Sequence, residues 1–408
     1  MRLGERIFQM FTLITAKNIP MSDTSSSDSS RIGIVDALRG FTILTIMLLH
    51  NIEHFDLYHF PEMLPGWMKQ TDSVIWDTLF FLFGGKSYAI FALLFGFTFF
   101  IQFSNQQKNG NDFSGRFAWR LAILFLFGVV NTMFYSGDIL VLYAVLGFSL
   151  IPVRKWSDTA VLITASVLMF QPLEWYRVFM LTVDPAYTIP ANLSDQFYAA
   201  SGGYLTGDSF TALVKGNLFN GRFASLFWSW ENGRFFQTVS LFMIGIVLGR
   251  KAKFEHSEEN GQFWKRMLIL SAVSFIPLFL LKMNIQSLFP GETGQRLGMI
   301  ISSWSNMAFM ALIVSSFVSI YRQRSGFLAI FSPLGRMSLT NYVMQSVIGS
   351  FIYYGYGLGM YRYTGATYSI IIGIVLCVLQ ILFCRWWIAR YQQGPLERLW
   401  HKATWMRS

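Results

Sequence analysis

The sequence predicts an all-α protein: a polytopic integral membrane helical bundle of about ten transmembrane helices, with both termini cytoplasmic. Three observations predict it. Of 408 residues, 53% are hydrophobic and only 13% are charged. The apolar residues fall in repeated uncharged runs of about 20, the length at which a helix crosses a bilayer. Lys and Arg concentrate in alternate segments between these runs, as they do in cytoplasmic loops. That bias accounts for the net charge of +10, which in a soluble chain would suggest nucleic acid, so no nucleic-acid partner is expected. The partner is the lipid bilayer, and the expected location is a cytoplasmic (inner) membrane, with a homo-oligomer compatible with this reading.

In chain order, residues 1–30 read as a disordered cytoplasmic tail, because Met21-Ser-Asp-Thr-Ser-Ser-Ser-Asp-Ser-Ser30 is polar and lacks a core-forming pattern. Ile7–Ala16 is too short to span, and no small-residue cleavage site follows it, so no signal peptide is expected. Met21 is an alternative start. Residues 31–400 form a single transmembrane domain, and 401–408 a cytoplasmic tail. The expected spans are 33–52, 79–103, 117–135, 138–153, 158–180, 235–250, 266–282, 297–320, 328–354 and 366–389. With the N-terminus inside, the short outer loops hold only Lys69, Lys282, Arg296 and Arg362 as cations. The one long outer loop, 181–233, mixes prolines and a Gly pair with an amphipathic piece, 209–230, whose Trp228 and Trp230 suit a membrane interface, so it is expected to cap the outer face. Cys377 and Cys384 share one run and read as lipid-facing or core thiols rather than a disulfide framework.

The first span carries ionisable groups at both ends, Asp36 and Arg39 at one and His50 at the other. Such groups are costly in lipid unless they face protein or water, which makes them functional candidates. Eleven residues separate Arg39 from His50, roughly 16 Å at the helical rise, so the pattern suggests two stations near opposite faces. At the inner station Arg39 joins Arg116 and Arg120, four apart at the start of the third span, and Arg336, as a basic mouth for phosphate. The plainer reading of Asp36 and Arg39 is an ion pair anchoring the helix.

At the outer station His50 is expected at one depth with Lys86, Asn131 and Asp138. An imidazole beside a carboxylate can take a proton from an attacking hydroxyl, while Lys and Asn can stabilise an oxyanion. Gly137-Asp138 also fits a tight turn capping the next helix, and Lys86 could snorkel. His50, Glu53, His54 and His59 have spacing that could hold zinc but match no metalloenzyme signature, and no metal is expected. Asn341 and Gln345, four apart, suit hydrogen bonding between helices.

Asp36-Ala-Leu-Arg39-Gly40, Leu94-Phe95-Gly96, Gly137-Asp138-Ile139-Leu140, Gly335-Arg336-Met337-Ser338-Leu339-Thr340-Asn341-Tyr342, Tyr354-Gly355-Tyr356-Gly357 and Gly394-Pro395-Leu396-Glu397, in this order, resemble the YeiB-like bacterial membrane proteins, domain of unknown function family 418. Arg39, ten residues, then His50 is also similar to the first-helix pattern of transmembrane acyltransferases. That resemblance implies acyl-CoA as cytoplasmic donor, Arg39 at the donor end and His50 as catalytic base. The YeiB-like pattern more often has Asn at the His50 position and His near Asn131, which this chain reverses.

The expected function is therefore acyl transfer from cytoplasmic acyl-CoA to a hydroxyl of an extracytoplasmic glycan, glycolipid or small polar acceptor. His50 is the base, Asp138 its charge partner, Lys86 and Asn131 the oxyanion donors, and Arg39, Arg116, Arg120 and Arg336 the phosphate ligands. The alternatives are a transporter of a small polar substrate and a non-enzymatic envelope protein.

Overall fold

The computed structural model describes residues 32–405 apart from Glu62 and Asn111. The N-terminal tail expected to be disordered, and the end of the C-terminal tail, lie outside the described residues. All regular structure described is helical. Five helices are long and apolar enough to cross a membrane, counting Gly66–Lys108 as one kinked helix. This is a coarser result than the expected ten spans.

The first is α1, Gly33–Ile52. It is a central helix, packed on several sides, with Ala37, Leu38, Ile43 and Ile52 at 0% exposure. The expected second span is longer than 79–103 and broken in two, α2 (Gly66–Phe83) and α3 (Lys86–Lys108), because Gly85 adopts φ 76° between them. Only glycine takes that conformation at little cost. α3 runs antiparallel to α1: Ser87 Oγ lies 2.8 Å from Thr45 Oγ1, and Arg39 donates to Thr98 Oγ1 at 2.8 Å.

The next two expected spans are α4 (Ser114–Thr132) and the short α5 (Leu140–Gly147), extended by a turn at Leu150–Val153. The expected 158–180 span is broken into α6 (Asp158–Met169) and α7 (Pro172–Val183). Gln171, at φ 62°, sits at the break and bridges outward, donating to Gly233 O at 3.2 Å and Ser303 Oγ at 3.3 Å. The long loop forms three short helices, a π turn at Asn217–Gly221 and α8 (Arg222–Glu231). Leu205 and Leu213 tuck its first half onto Phe55, Tyr135, Tyr353 and Tyr354.

Then follow α9 (Arg234–Arg250), α10 (Glu258–Leu288) and α11 (Glu292–Gln323). α10 and α11 are the longest, and α10 keeps Ile269, Val273, Ile276 and Leu280 exposed, as a lipid-facing helix does. The expected 328–354 span is α12 (Ser332–Arg336) and α13 (Ser338–Tyr353), split at Met337. α14 (Ala366–Ile388) crosses next, and the amphipathic α15 (Pro395–Trp405) ends the described chain.

Two glycine pairs set the closest helix contacts. A Cβ on Gly40 would lie 1.9 Å from Phe331 O, and one on Gly335 1.8 Å from Asp36 O, where α1 meets α12. Likewise Gly96 faces Phe242 O at 1.9 Å and Gly245 faces Leu93 O at 2.1 Å, where α3 meets α9. Between membrane helices, small residues allow the backbone approach that dispersion requires. Gly96→Ala should therefore lower stability by about 1–3 kcal/mol through overpacking. Gly115→Ala, whose methyl meets nothing within 4 Å, should not. Thermal unfolding of both variants in one detergent compares them.

Candidate functional site

α1 ends on His50, Asn51 and Ile52, and the chain then turns the wrong way. His54, Phe55, Asp56 and Tyr58 all have positive φ, 52°, 54°, 66° and 49°. Non-glycine residues in this region cost on the order of 1–3 kcal/mol each and persist only where surrounding contacts hold them. Here they are held. Tyr354 donates to Phe55 O at 2.5 Å, and Phe55 packs on Tyr135 and Tyr353.

Glu53, one helical turn after His50, faces it at the end of α1, its N–H donating to Leu49 O at 3.0 Å. His50 Nδ1 lies 3.0 Å from Glu53 Oε2, and Tyr58 donates to Glu53 Oε1 at 3.0 Å. The Tyr135 hydroxyl is 3.2 Å from the same Nδ1 and also bonds the Asp56 carboxylate. Gly137 permits this, since a Cβ there would lie 2.2 Å from Asp56 Oδ2 and 2.4 Å from the Tyr135 oxygen. A carboxylate only accepts, so Nδ1 carries the imidazole proton and Nε2 the lone pair. No hydrogen bond to His50 Nε2 is found among the described residues. Burial, then the neighbouring Glu53 carboxylate, pushes the Asp56 carboxyl up from its ordinary range.

His54 differs from His50. Its Nδ1 donates to His59 O at 2.8 Å, while Nε2 faces the Ser369 and Thr364 hydroxyls at 2.9 and 3.2 Å, so protein groups occupy both nitrogens. Burial lowers its pKa to about 4. Asn51 is also spoken for, donating to Met47 O at 2.8 Å and accepting from Tyr353 at 3.0 Å.

The other expected outer residues divide. Asn131 donates to Asp138 Oδ1 at 2.9 Å, so these two do meet. Asp138, 1% exposed, accepts from Val141 N at 3.2 Å as a helix cap and faces Arg222, whose Nη1 is 3.8 Å from the carboxylate and donates to Asp138 O at 2.8 Å. It therefore partners Arg222 and Asn131, while His50 takes Glu53. Lys86 sits lower, beside Ser87 and thus level with Thr45; its ammonium donates to Phe80 O at 3.3 Å and lies 5.6 Å from the Phe309 ring centre.

At the Arg39 end, Arg39 pairs with Asp36 at 3.1 Å. Arg116 and Arg120 lie against the faces of Trp405 and Trp400, each at 4.1 Å, on α15. Glu397 pins that helix: its carboxylate accepts from Leu339 N, Thr340 N and Thr340 Oγ1 at 2.7, 3.1 and 2.6 Å, at the N-terminus of α13, where a negative charge is favoured. Arg336 donates to Gln392 O at 3.0 Å, just before α15. Asn341 and Gln345 bond between helices, Gln345 donating to Gln380 Oε1 at 2.8 Å and Asn341 Oδ1 facing Cys384 at 3.2 Å.

The spacing set Glu53 beside His50 only as a zinc candidate, and no motif marked Tyr135, Asp56 or Arg222 as members of the site. Arg222 left one trace, a cation in an outer loop where cations are scarce.

Residues 248–407 match the family described as "Protein of unknown function (DUF418)". The chain is 27% identical over 406 residues to the "Uncharacterized protein YxaH" of Bacillus subtilis (strain 168), covering 93% of this chain and 95% of that protein. The chain thus resembles the DUF418 membrane proteins, most directly over 248–407. It is also 25% identical over 405 residues to the "Uncharacterized protein YeiB" of Escherichia coli (strain K12), covering 91% of this chain and 95% of that one. Similarity to these bacterial proteins, with the apolar helices, identifies a multi-pass bacterial membrane protein. The 248–407 match includes Arg336 and Glu397, and the similarity to YxaH and YeiB extends over most of the remaining chain.

His54 makes one pH effect testable. Its folded pKa lies below the unfolded 6.5, so between pH 6.5 and 4 the unfolded chain binds the extra proton and the folded state loses on the order of 3 kcal/mol. The raised Asp56 works in the opposite sense, so wild type must be compared with a variant. On acidification from pH 7 to 4.5, the melting temperature of wild type should fall relative to that of His54→Gln.

Proposed function

We propose that this protein is an acyl-CoA-dependent O-acyltransferase, with a cytoplasmic donor and an acceptor hydroxyl at the opposite face. The observation that carries the reading is the His50 imidazole, with Glu53 on Nδ1 and no partner on Nε2 among the described residues. This is how a carboxylate orients a general base, by fixing its tautomer and stabilising the imidazolium that forms.

In this reading the acceptor hydroxyl gives its proton to His50 Nε2 as its oxygen bonds the thioester carbonyl carbon. The carbon–sulfur bond then breaks, and the CoA sulfur leaves with that proton. Glu53 takes the orienting role expected of Asp138, and Tyr58 steadies Glu53. Asp138 with Asn131 and Arg222 forms the adjoining wall. Arg39, Arg116, Arg120 and Arg336 hold the donor phosphates; stacking on Trp400 and Trp405 covers guanidinium faces but leaves their N–H edges available to phosphate. Lys86, level with Thr45, lies along the route between the two stations. The reading takes the shorter and broken helices as crossing too, giving about ten spans with both termini inside.

A second reading, a transporter of a small polar substrate, gains from the breaks at Gly85 and Gln171. Helices unwound at mid-membrane frequently line transport sites.

The test uses detergent-purified protein and vesicles. Acetyl-CoA should bind by calorimetry to wild type and His50→Ala, and at least tenfold more weakly to Arg39→Ala. Vesicles given labelled acetyl-CoA should acylate envelope material with wild type, lose at least a hundredfold in rate with His50→Ala and less with Glu53→Gln. Folded wild type that binds no acyl-CoA would defeat the enzyme reading and favour transport.

A further inference from the structure

Outside the His50 cluster, a second group of charges is buried among helices. Glu174, with its side chain 2% exposed, accepts from Arg177 at 2.7 Å and faces Arg296 Nη1 at 3.5 Å; the two arginine side chains are 15% and 11% exposed. Two guanidiniums thus meet one carboxylate, leaving one positive charge in excess where desolvation is expensive. Three buried side-chain atoms here, the donors Arg296 Nε and Trp175 Nε1 and the acceptor Glu174 Oε2, have no hydrogen-bond partner among the described residues. A buried donor left unpaired costs about 1–3 kcal/mol.

The group sits at the head of a groove. Between α6, α10 and α11 lies an open cavity of about 400 Å³, with Met267, Ser274, Leu278 and Ala308 in its wall. Ser166 and Ser271 turn their hydroxyls onto carbonyls of their own helices, Leu162 O at 2.8 Å and Leu268 O at 3.0 Å, so the wall is effectively apolar. Phe170, also in the wall, stacks on Trp304 at 5.4 Å and on Trp175 at 5.3 Å. Trp175 adjoins Glu174, which ties the groove to the charged group. Along α10 the groove runs from Met267 to Leu278, roughly 16 Å, close to the ~15 Å depth of one leaflet. The other end of α11 reaches Gly33 through Tyr321, which puts Arg296 at the His50 end of the bundle.

We propose that this groove and the Glu174–Arg177–Arg296 group bind one anionic membrane phospholipid. One acyl chain fills the groove, and the phosphate and glycerol region accepts from Arg296 Nε and Trp175 Nε1. The single negative charge of a headgroup such as phosphatidylglycerol matches the single excess positive charge. The site is independent of the acyl-transfer reading.

The test is thermal unfolding of the full chain in mixed micelles, titrated with phosphatidylglycerol or phosphatidylcholine. Phosphatidylglycerol should stabilise wild type at a concentration at least tenfold below phosphatidylcholine. Arg296→Gln, and Ala308→Phe, which fills the groove without touching the ion pairs, should each abolish that preference. If Arg296→Gln fails to fold, Ala308→Phe decides. Equal responses to the two lipids, an unchanged response of Ala308→Phe, or equal stabilisation by glycerol 3-phosphate alone would each overturn the proposal.

Discussion

Glu53 faces His50 from the next turn of the same right-handed helix, its N–H donating to Leu49 O at 3.0 Å, and the chain reverses its handedness only after it. A right-handed continuation beyond Glu53 would carry Asp56 and Tyr58 along the helix axis and away from the imidazole. The left-handed residues His54, Phe55, Asp56 and Tyr58 instead curl the chain back, so that Asp56 and Tyr58 join Glu53 around the end of α1. That curl survives because Phe55 is clasped by Tyr135, Tyr353 and Tyr354, from elements far apart in sequence. The rest of the bundle around α1 can be understood as the support for this strained turn. Elements 133–139 pass beneath it, the long loop covers it, and α13 brackets it.

Polar accounting explains much of the remaining interior. The carboxylates near the site have their own donors: Glu53 has His50 and Tyr58, Asp56 has Tyr135, and Asp138 has Asn131, Val141 and Arg222, while at the other end Glu397 has the start of α13. Water is scarce at these positions, so a carboxylate borrowed from one set would leave donors bare in another. This is why Asp138 does not serve His50 although both had been expected at one depth. Arg222 and Asn131 already claim it.

The legible features were those that depend on local periodicity. The apolar runs, the spacing from Arg39 to His50, the meeting of Asn131 with Asp138 and the packing role of Asn341 and Gln345 follow from helical geometry and the cost of polar groups in lipid. What escaped reading depended on backbone conformations with no compositional mark. Nothing in Glu53-His-Phe-Asp-Leu-Tyr58 announces a left-handed turn, since none of these residues is glycine. Gly84-Gly85 could equally have been a continuous helix, and its break moved Lys86 to the level of Thr45. The tryptophans that cover Arg116 and Arg120 come from α15, some 284 residues later in the case of the Arg120 contact with Thr404. No window along the chain can show that pairing.

The docking of α15 also has a consequence for the order in which the protein is made. Helices α1 to α14 leave the ribosome before Glu397 does, so a nascent bundle holds Arg116 and Arg120 with their aromatic covers still untranslated. During that interval the pair is an open cationic surface beside the membrane, attractive to anionic headgroups and to any phosphate-bearing molecule nearby. Completion of the cluster around Arg116 and Arg120 is thus a late event in biogenesis, set by synthesis of the segment after Gly394, whereas the His50 cluster waits only for Tyr353 and Tyr354.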